Sequence, residues 1–202
     1  LIAYGQVQVL QIHPGPLSYW YNLLIKRIVD VILSIVIIIG ILSWLVPVIF
    51  ILDFLGAREG IFFIQRRTGI NNHMFPCIKF RTMHPNPEAD EKQAVRGDQR
   101  VTSVGKILRK TSLDELPQFF NVLIGQMSVI GPRPHMLKHT NEYRSMVQRF
   151  MVRHTVKPGI TGLAQVQGFR GEIKHPDDLR RRVTADVFYV ENWSFSLDLR
   201  IL

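Results

Sequence analysis

The apolar residues are distributed unevenly along the chain, and the strongest feature is a long run near the start. Between residues 31 and 52 the only interruptions are Ser34, Gly40, Ser43 and Pro47. A helix of about 22 residues is roughly 33 Å long, which is enough to span the hydrocarbon core of a bilayer. The length of the run and its lack of a polar face argue against a buried helix of a soluble protein. We therefore predict a membrane helix over residues 22–56.

The residues that flank this helix indicate that it does not cross the bilayer. Lys26 and Arg27 precede the apolar run, and arginines follow it at positions 58, 66 and 67. Basic flanks are retained on the cytoplasmic side, so both ends are predicted to lie there. Pro47 removes a backbone donor and favours a kink, which frees the carbonyl oxygen of Ser43. These features favour a re-entrant helix with its break at Ser43 and Pro47 over a spanning helix.

After the apolar run, the pattern changes to shorter elements. Residues 61–66 and 74–80 read as two strands joined by a turn, in which Pro76 has to face an open edge. Helical spacing of apolar residues follows from residue 104. We predict an α+β fold, mostly helical, with a small β-hairpin, a re-entrant membrane helix and interfacial amphipathic helices. Residues 1–21 are expected to be a linker from a missing N-terminal region, and residues 57–202 a domain at the cytoplasmic face.

Composition narrows the choice of partners. The 202 residues include 25 Lys and Arg against 16 Asp and Glu, which gives a formal net charge of +9. Such a balance is typical of proteins that bind nucleic acid, an anionic membrane surface or a phosphorylated substrate. Nucleic acid is not expected, because no zinc-ligand spacing, RNP-like motif or basic zipper region is present. Cys77 is the only cysteine, so an intrachain disulfide is excluded.

Two adjacent carboxylates, Asp114 and Glu115, follow a basic stretch at residues 106–110. Carboxylates can hold a hard cation or attack phosphorus, while Arg and Lys hold phosphate oxygens. A capping box between Ser112 and Glu115 is an alternative explanation that requires no chemistry. It leaves Asp114 unexplained, although acidic residues are common in a first helical turn.

Two further segments are candidates for anion binding. Arg133 lies between Pro132 and Pro134, which restrict the backbone and hold the charge on a rigid turn. It is either a phosphate clamp or a solvated turn residue. Residues 158–171 are rich in glycine, which lets backbone amides approach an anion closely. This segment contains neither the phosphate-loop signature nor the dinucleotide-binding one.

Together and in this order, the segments resemble the monotopic phosphoglycosyl transferases, the bacterial sugar transferase family, from about residue 22 to the end. The resemblance rests on KRIVD at 26–30, IKFRTM at 78–83, SLDELPQ at 112–118, FNVL at 120–123, MSVIGPRP at 127–134, KPGITG at 157–162 and DVFYV at 186–190. It implies transfer of sugar-1-phosphate from a UDP-sugar to undecaprenyl phosphate, with release of UMP. It also implies a place at the cytoplasmic face of the bacterial inner membrane, in exopolysaccharide, lipopolysaccharide or other glycoconjugate assembly, with residues 57–202 as the catalytic domain.

The resemblance assigns catalytic roles to the acidic pair. It implies that Asp114 is the nucleophile and forms a covalent phosphosugar in a ping-pong mechanism. It also implies that Mg²⁺ is required, with Asp114 and Glu115 as its expected ligands. A metal would neutralise the pyrophosphate and let a carboxylate approach it.

The resemblance implies secondary roles for other residues. Lys79, Arg109 and Arg133 are expected to hold phosphates, and Asp186 to be a further acidic residue at the substrate. Two departures from the family pattern stand out. Valine precedes Pro47 where some members have serine, so Ser43 is expected to supply that hydroxyl. The loop at 168–171 reads GFRG instead of Gly-Arg-Asn, which leaves the nucleotide and sugar contacts unassigned.

Two other functions remain open at this stage. A metal-dependent nucleotide-sugar pyrophosphatase would use the same carboxylates with water as the attacking group. A non-catalytic, membrane-anchored module that binds anionic lipid would explain the charge, but not the convergence of acidic and basic motifs. The identity of the sugar and the formation of homo-oligomers are not indicated by the sequence.

Overall fold

The computed structural model describes residues 2–4, 7–9, 15–56, 58–86, 97–136, 143, 146–147, 149–169, 171, 173 and 175–202. Its α-helices are α1 (Trp20–Ile37), α2 (Ser43–Leu55), α3 (Ser103–Thr111), α4 (Gln118–Leu123), α5 (Leu163–Val166), α6 (Pro176–Glu191) and α7 (Phe195–Ile201). Its strands are β1 (Ile2–Tyr4), β2 (Val7–Val9), β3 (Phe62–Thr68), β4 (Met74–Phe80), β5 (Ser128–Ile130) and β6 (Gly159–Thr161). The predicted α+β class, mostly helical with a small β-hairpin, is confirmed. The predicted linker, residues 1–21, is described only in part.

The antiparallel pair β3–β4 is the predicted hairpin, with Phe63 opposite Lys79 and Gln65 opposite Cys77. Its outer edge is covered by one buried side chain, Asn121 of α4. The Asn121 amide donates to the carbonyl oxygen of Pro76 at 2.7 Å, and its Oδ1 accepts from the Ile78 amide at 3.0 Å. The Asn121 side chain therefore supplies hydrogen bonds to backbone groups of β4 at the edge where Pro76 interrupts strand pairing, and it covers that edge.

A second, parallel pair joins β5 to β6, and the sequence pattern did not predict it. Gly131 and Gly159 allow this contact, because their backbones pass too close for side chains. A Cβ atom on Gly159 would lie 2.1 Å from the Gly131 nitrogen. The Gly131 amide donates to the carbonyl of Thr161, and the Gly159 amide donates to that of Pro132. The amides of Gly131 and Gly159 thus serve the packing of this pair, and within the glycine-rich segment the Gly159 amide is engaged inside the fold.

The apolar run forms α1 and α2, which are joined by a π-helical turn over Ile38–Leu42. The irregular turn precedes Pro47, which lies inside α2. The Ser43 hydroxyl donates to the Ile39 carbonyl at 2.5 Å. The helix from Trp20 to Leu55 is long and apolar enough to cross a membrane, and only 17% of its most apolar window is buried.

Both halves of this helix pack against the rest of the protein. In α1, Arg27 donates to the carbonyls of residues 122 and 123, and the Asp30 carboxylate accepts from the Ser128 hydroxyl and the Val129 amide. The second half contributes Leu42, Leu45 and Ile49 to a buried cluster with Phe80 and Leu108. One face of the helix is therefore fixed to the domain along most of its length.

The C-terminal helices close the core around Asp198 of α7. Its carboxylate accepts hydrogen bonds from Lys26 at 2.7 Å, Tyr189 at 2.8 Å and Trp193 at 3.0 Å. Burial, followed by the charge of Asp198, raises the pKa of Tyr189 above its ordinary range. Also in α7, the apolar side chains of Phe195 and Leu199 are exposed.

Candidate active site

A cleft of about 450 Å³ lies over one face of the hairpin, between α3, the loop after β5 and α6. Seven Lys and Arg side chains line it, whereas Asp114 is its one lining carboxylate among the described residues. The cationic residues are Arg67, Lys79, Arg81, Arg100, Arg109, Arg133 and Arg182. A concave site with this excess of positive charge is suited to a polyanionic ligand.

A sharp change of backbone direction brings the acidic pair to the cleft. Ser112 ends α3 in the left-handed region, with φ of 59°, and a 3₁₀ turn follows over Leu113–Glu115. The Ser112 side chain makes no capping hydrogen bond to this turn. The capping-box alternative for Glu115 is therefore wrong, and the two carboxylates leave the turn in different directions.

Glu115 is held by two cations. Arg133 binds it with both terminal nitrogens, Nη1 to Oε2 at 3.1 Å and Nη2 to Oε1 at 2.5 Å. Lys79 Nζ approaches Oε1 at 3.0 Å. Burial opposes ionisation of Glu115, but the charges of Arg133 and Lys79 outweigh it and hold its pKa far below the usual range. Glu115 is therefore an anchor that orients two cations of the cleft lining.

Asp114 lies in a different environment. It lines the cleft and, within the described part of the chain, makes no hydrogen bond or ion pair. Burial raises the pKa of the Asp114 carboxyl above its ordinary value, while nearby Lys79 counteracts this shift and Glu115 adds to it. A half-buried carboxylate without a fixed partner, among cations, is suited to react with an electrophilic phosphorus.

Arg109 reaches the cleft because α3 packs unusually close to the end of the hairpin. A Cβ atom on Gly105 would lie 2.1 Å from the Thr82 carbonyl oxygen, so only glycine fits there. This contact lets Arg109 Nε donate to the Thr82 hydroxyl at 2.8 Å. Arg109 is also close enough for its charge to act on the pKa of Asp114.

A buried network behind the cleft fixes the loop that carries Arg133. Arg153 Nη2 donates to the Arg133 carbonyl at 2.7 Å and lies 2.8 Å from Oδ2 of Asp186. Arg153 Nη1 contacts the imidazole of His135, and burial lowers the pKa of His135 well below its ordinary value. Asp186 is thus placed behind the cleft and reaches Arg133 only through Arg153.

The fit of a metal ion differs for the two predicted ligands. The described residues include no group of three or more His, Cys, Asp and Glu side chains that could hold a metal. Both oxygens of Glu115 are engaged by cations, so Glu115 does not fit as a ligand in this arrangement. Asp114 does fit, since Mg²⁺ is commonly held by one or two carboxylates together with substrate phosphates.

The structure thus brings together Asp114, Glu115, Lys79, Arg109 and Arg133, but not Asp186. Ser43 and Pro47 lie in the long helix and do not line the cleft.

The remaining lining cations were not predicted. For Arg67 a signal was available, since period-two alternation places it on the same face of the hairpin as Lys79. For Arg182, which lies in a run of three arginines, no sequence signal distinguishes the one that faces inward.

Curated relatives share most of this chain. It is 46% identical over 198 residues to a UDP-glucose:undecaprenyl-phosphate glucose-1-phosphate transferase of Klebsiella pneumoniae, across 97% of this chain and 42% of that protein. It is 43% identical over 207 residues to a UDP-N-acetylgalactosamine-undecaprenyl-phosphate N-acetylgalactosaminephosphotransferase of Aeromonas hydrophila, across 98% of this chain and 47% of that protein. The chain therefore spans less than half the length of these two relatives.

A relative from Caulobacter vibrioides, described as a UDP-glucose:undecaprenyl-phosphate glucose-1-phosphate transferase, is 40% identical over 201 residues. That alignment covers 96% of this chain and 73% of the relative. The family profile described as bacterial sugar transferase matches residues 21–202. The match extends over the long helix, the cleft and the C-terminal helices, and the chain belongs to the bacterial sugar transferase family.

Proposed function

We propose that this protein transfers sugar-1-phosphate from a UDP-sugar to undecaprenyl phosphate through a covalent intermediate on Asp114. The observation that carries the proposal is the contrast within the acidic pair. Glu115 is bound by Arg133 and Lys79, whereas Asp114 has no fixed partner among the described residues and faces a cationic cleft. The names of the relatives support this donor and acceptor.

In the first half-reaction, a carboxylate oxygen of Asp114 attacks the phosphorus that carries the sugar. The bond from this phosphorus to the bridging oxygen breaks, and UMP leaves with the electron pair. In the second half-reaction, a phosphate oxygen of the lipid attacks the same phosphorus, and the bond to Asp114 breaks. Lys79, Arg109 and Arg133 stabilise the charge that develops on the phosphate oxygens, which is the main contribution a protein can make to this chemistry.

We propose that Mg²⁺ assists the first half-reaction. Asp114 and the diphosphate oxygens would hold the ion, since the oxygens of Glu115 are already bound. When bound, the ion supplies charge neutralisation for the diphosphate. Glu115 is not among the proposed ligands, because Arg133 and Lys79 engage both of its carboxylate oxygens.

We also propose that the long helix enters and leaves the membrane on the cytoplasmic side. A helix that crosses the bilayer can contact a soluble domain only near one end, yet here both halves pack against the domain. The outward face is apolar, with exposed Ile28, Ile32, Ile39, Phe50 and Leu55, and suits lipid. Because the native cysteine is buried, single cysteines introduced at residues 22 and 58 can be labelled selectively. Both should be protected from an impermeant reagent in spheroplasts, and labelling of one end alone would contradict the re-entrant arrangement.

The reaction itself is tested by UMP release from UDP-glucose, with and without undecaprenyl phosphate. The wild type should release UMP continuously only with lipid, and about one equivalent per enzyme without it. Asp114→Asn should abolish both phases, whereas Asp177→Asn, which changes an exposed acid, should retain them. Normal turnover by Asp114→Asn would disprove the nucleophile, and continuous lipid-independent release would indicate a pyrophosphatase.

A further inference from the structure

Arg182 of α6 lines the cleft without having a counter-charge of its own. Its residue is 8% exposed, and Nη2 donates to the carbonyl oxygen of Gly171 at 2.9 Å. Its Nε is fully buried and has no hydrogen-bond partner. Within the described part of the chain, no carboxylate forms an ion pair with Arg182.

The nearest acid on the same helix forms its ion pair with another residue. Asp186 lies one turn further along α6 and its charge acts on Arg182, but its carboxylate is paired with Arg153 at 2.8 Å. By contrast, Arg133 is paired with Glu115 and Arg100 with Asp98. Burying a guanidinium without an anionic partner is costly. An anion in the cleft would supply the missing counter-charge.

The position of Arg182 differs from that of Asp114 along the cleft. Arg182 lines the cleft from α6 and is bound to the Gly171 carbonyl. Asp114 lines it from the turn after α3, next to Glu115, which pairs with Lys79.

Arg133 connects these two sides, because its guanidinium pairs with Glu115, next to Asp114. Its carbonyl is bound by Arg153, which pairs with Asp186, one turn from Arg182 on α6. A phosphate bound at Arg182 would therefore lie on the α6 side of the cleft, and the phosphate that Asp114 attacks on the α3 side. An in-line displacement places the leaving oxygen on the side of phosphorus away from the nucleophile. In the second half-reaction, the attacking oxygen has to enter from that same side.

We propose that Arg182 forms a second phosphate subsite, which holds the phosphate that leaves in UMP and then the phosphate of the polyprenyl acceptor. The guanidinium stabilises the charge that collects on the leaving phosphate, and it later orients the attacking phosphate. The names of the two ligands rest on the proposed function, whereas the anion subsite follows from the unpaired charge of Arg182.

The test compares three variants of the chain in detergent: Arg182→Gln, Arg182→Lys and the control Arg181→Gln. Arg181 is exposed on the same helix, so its variant carries the same change of net charge. The probes are inorganic phosphate, UMP, a short-chain polyprenyl phosphate and, as a ligand without phosphate, uridine. The readouts are the Tm without ligand and the dissociation constant from the rise in Tm with each probe.

We expect Arg182→Gln to raise the dissociation constants of UMP and of the polyprenyl phosphate at least tenfold. Arg182→Lys should raise both by a smaller factor. Arg181→Gln should bind them as the wild type does, and uridine should not distinguish the variants. The Tm of Arg182→Gln without ligand should equal or exceed that of the wild type. If this variant does not fold, the smaller loss in Arg182→Lys is the deciding measurement.

Unchanged affinity for UMP and the polyprenyl phosphate in the Arg182 variants would overturn the proposal. Arg182 would then have only a structural role, through its hydrogen bond to the Gly171 carbonyl. If the Arg182 variants bind only UMP more weakly and bind the polyprenyl phosphate as the wild type does, the lipid phosphate does not use this subsite. A wild-type protein that binds phosphate through Arg182 but never releases UMP would disprove the proposed function and leave the anion subsite supported.

Discussion

Two clusters of charged side chains hold the loop that carries Arg133, and they differ in side-chain exposure. In front, Glu115 binds the Arg133 guanidinium and Lys79, and the two cationic side chains are 27% and 20% exposed. Behind, Arg153 binds the Arg133 carbonyl and pairs with Asp186, with side-chain exposures of 1% and 2%. The front cluster presents charge to a ligand, whereas the rear cluster presents none.

This difference indicates a division of roles. A partly exposed cation can exchange its bonds for those of a phosphate, while a fully buried pair serves only to position its neighbours. Substitutions in the front cluster should therefore lower mainly the catalytic rate, and substitutions in the rear cluster mainly the free energy of unfolding. The following variants separate these effects, in order of decreasing expected size.

Among the variants that retain Asp114, Glu115→Gln should have the largest effect, because it releases Arg133 and Lys79 from their common anchor. Misplacement of binding groups by about 1 Å can reduce the rate about 100-fold, so we expect kcat/KM to fall by about that factor or more. Glu191→Gln, which alters an exposed ion pair, is the control and should retain wild-type kcat/KM. A loss of less than threefold in Glu115→Gln would contradict the anchoring role.

The stability effect of Glu115→Gln should depend on pH. The pKa of Glu115 is lowered from an ordinary value of 4.5, so its ion pairs stabilise the fold above that pH and lose this effect as the pH falls through the folded-state pKa. The stability difference from wild type should be constant from pH 5 to 8 and shrink below about pH 4.5. Urea unfolding across this range measures it.

Asp186→Asn should affect stability more than chemistry. Removing one partner of a buried ion pair costs about 3–5 kcal/mol, because the other charge is left uncompensated. We expect this loss in urea unfolding, and a smaller loss of activity at temperatures where the variant is folded. Asp177→Asn should be neutral in both assays. Full stability of Asp186→Asn together with a large loss of kcat would instead assign Asp186 to the chemistry.

Gly105→Ala should separate α3 from the hairpin end. The added methyl group overlaps the Thr82 carbonyl, and a core overpacked in this way typically loses about 1–3 kcal/mol. Because Arg109 is bound to Thr82, KM for the UDP-sugar should also rise. Gly168→Ala offers a contrast, since a Cβ atom there meets nothing within 4 Å although φ is +87°. It should lower stability without changing KM, and an unchanged KM in Gly105→Ala would remove Arg109 from substrate binding.

Asp114→Asn should have the smallest effect on the fold, and in the stabilising direction. Burial raises the pKa of Asp114 above 3.8, so the ionised form is disfavoured in the folded protein at neutral pH. The variant should melt at a higher temperature than the wild type at pH 7.5. This gain should shrink as the pH falls and disappear below 3.8, where the wild-type carboxyl is protonated in both the folded and the unfolded state. A lower Tm for the variant than for the wild type at pH 7.5 would contradict the view that burial disfavours the ionised Asp114 carboxyl.

Local patterns were sufficient for part of this architecture. The apolar run and the hairpin depend mainly on neighbouring residues, and the residues of the two loops that converge are recognisable as motifs. The left-handed turn at Ser112 was not predicted. The parallel pair β5–β6 has three-residue strands with no readable period, and it forms only because Gly131 and Gly159 let distant backbones meet. The positions of Asp186 and Arg182 could not be predicted, because one turn of α6 decides which charge is buried behind the cleft and which one faces it.

The central claim is that Asp114, and not its neighbour, becomes covalently bound to the sugar phosphate. The direct measurement is peptide mass spectrometry of the protein after incubation with UDP-glucose and Mg²⁺ in the absence of lipid. We predict a hexose-phosphate adduct on the peptide that contains Asp114, located at that residue, absent in Asp114→Asn and removed when undecaprenyl phosphate is added. An adduct on Glu115 would contradict the mechanism. Full lipid-dependent turnover would also contradict it if no adduct forms, or if the adduct is not removed by undecaprenyl phosphate.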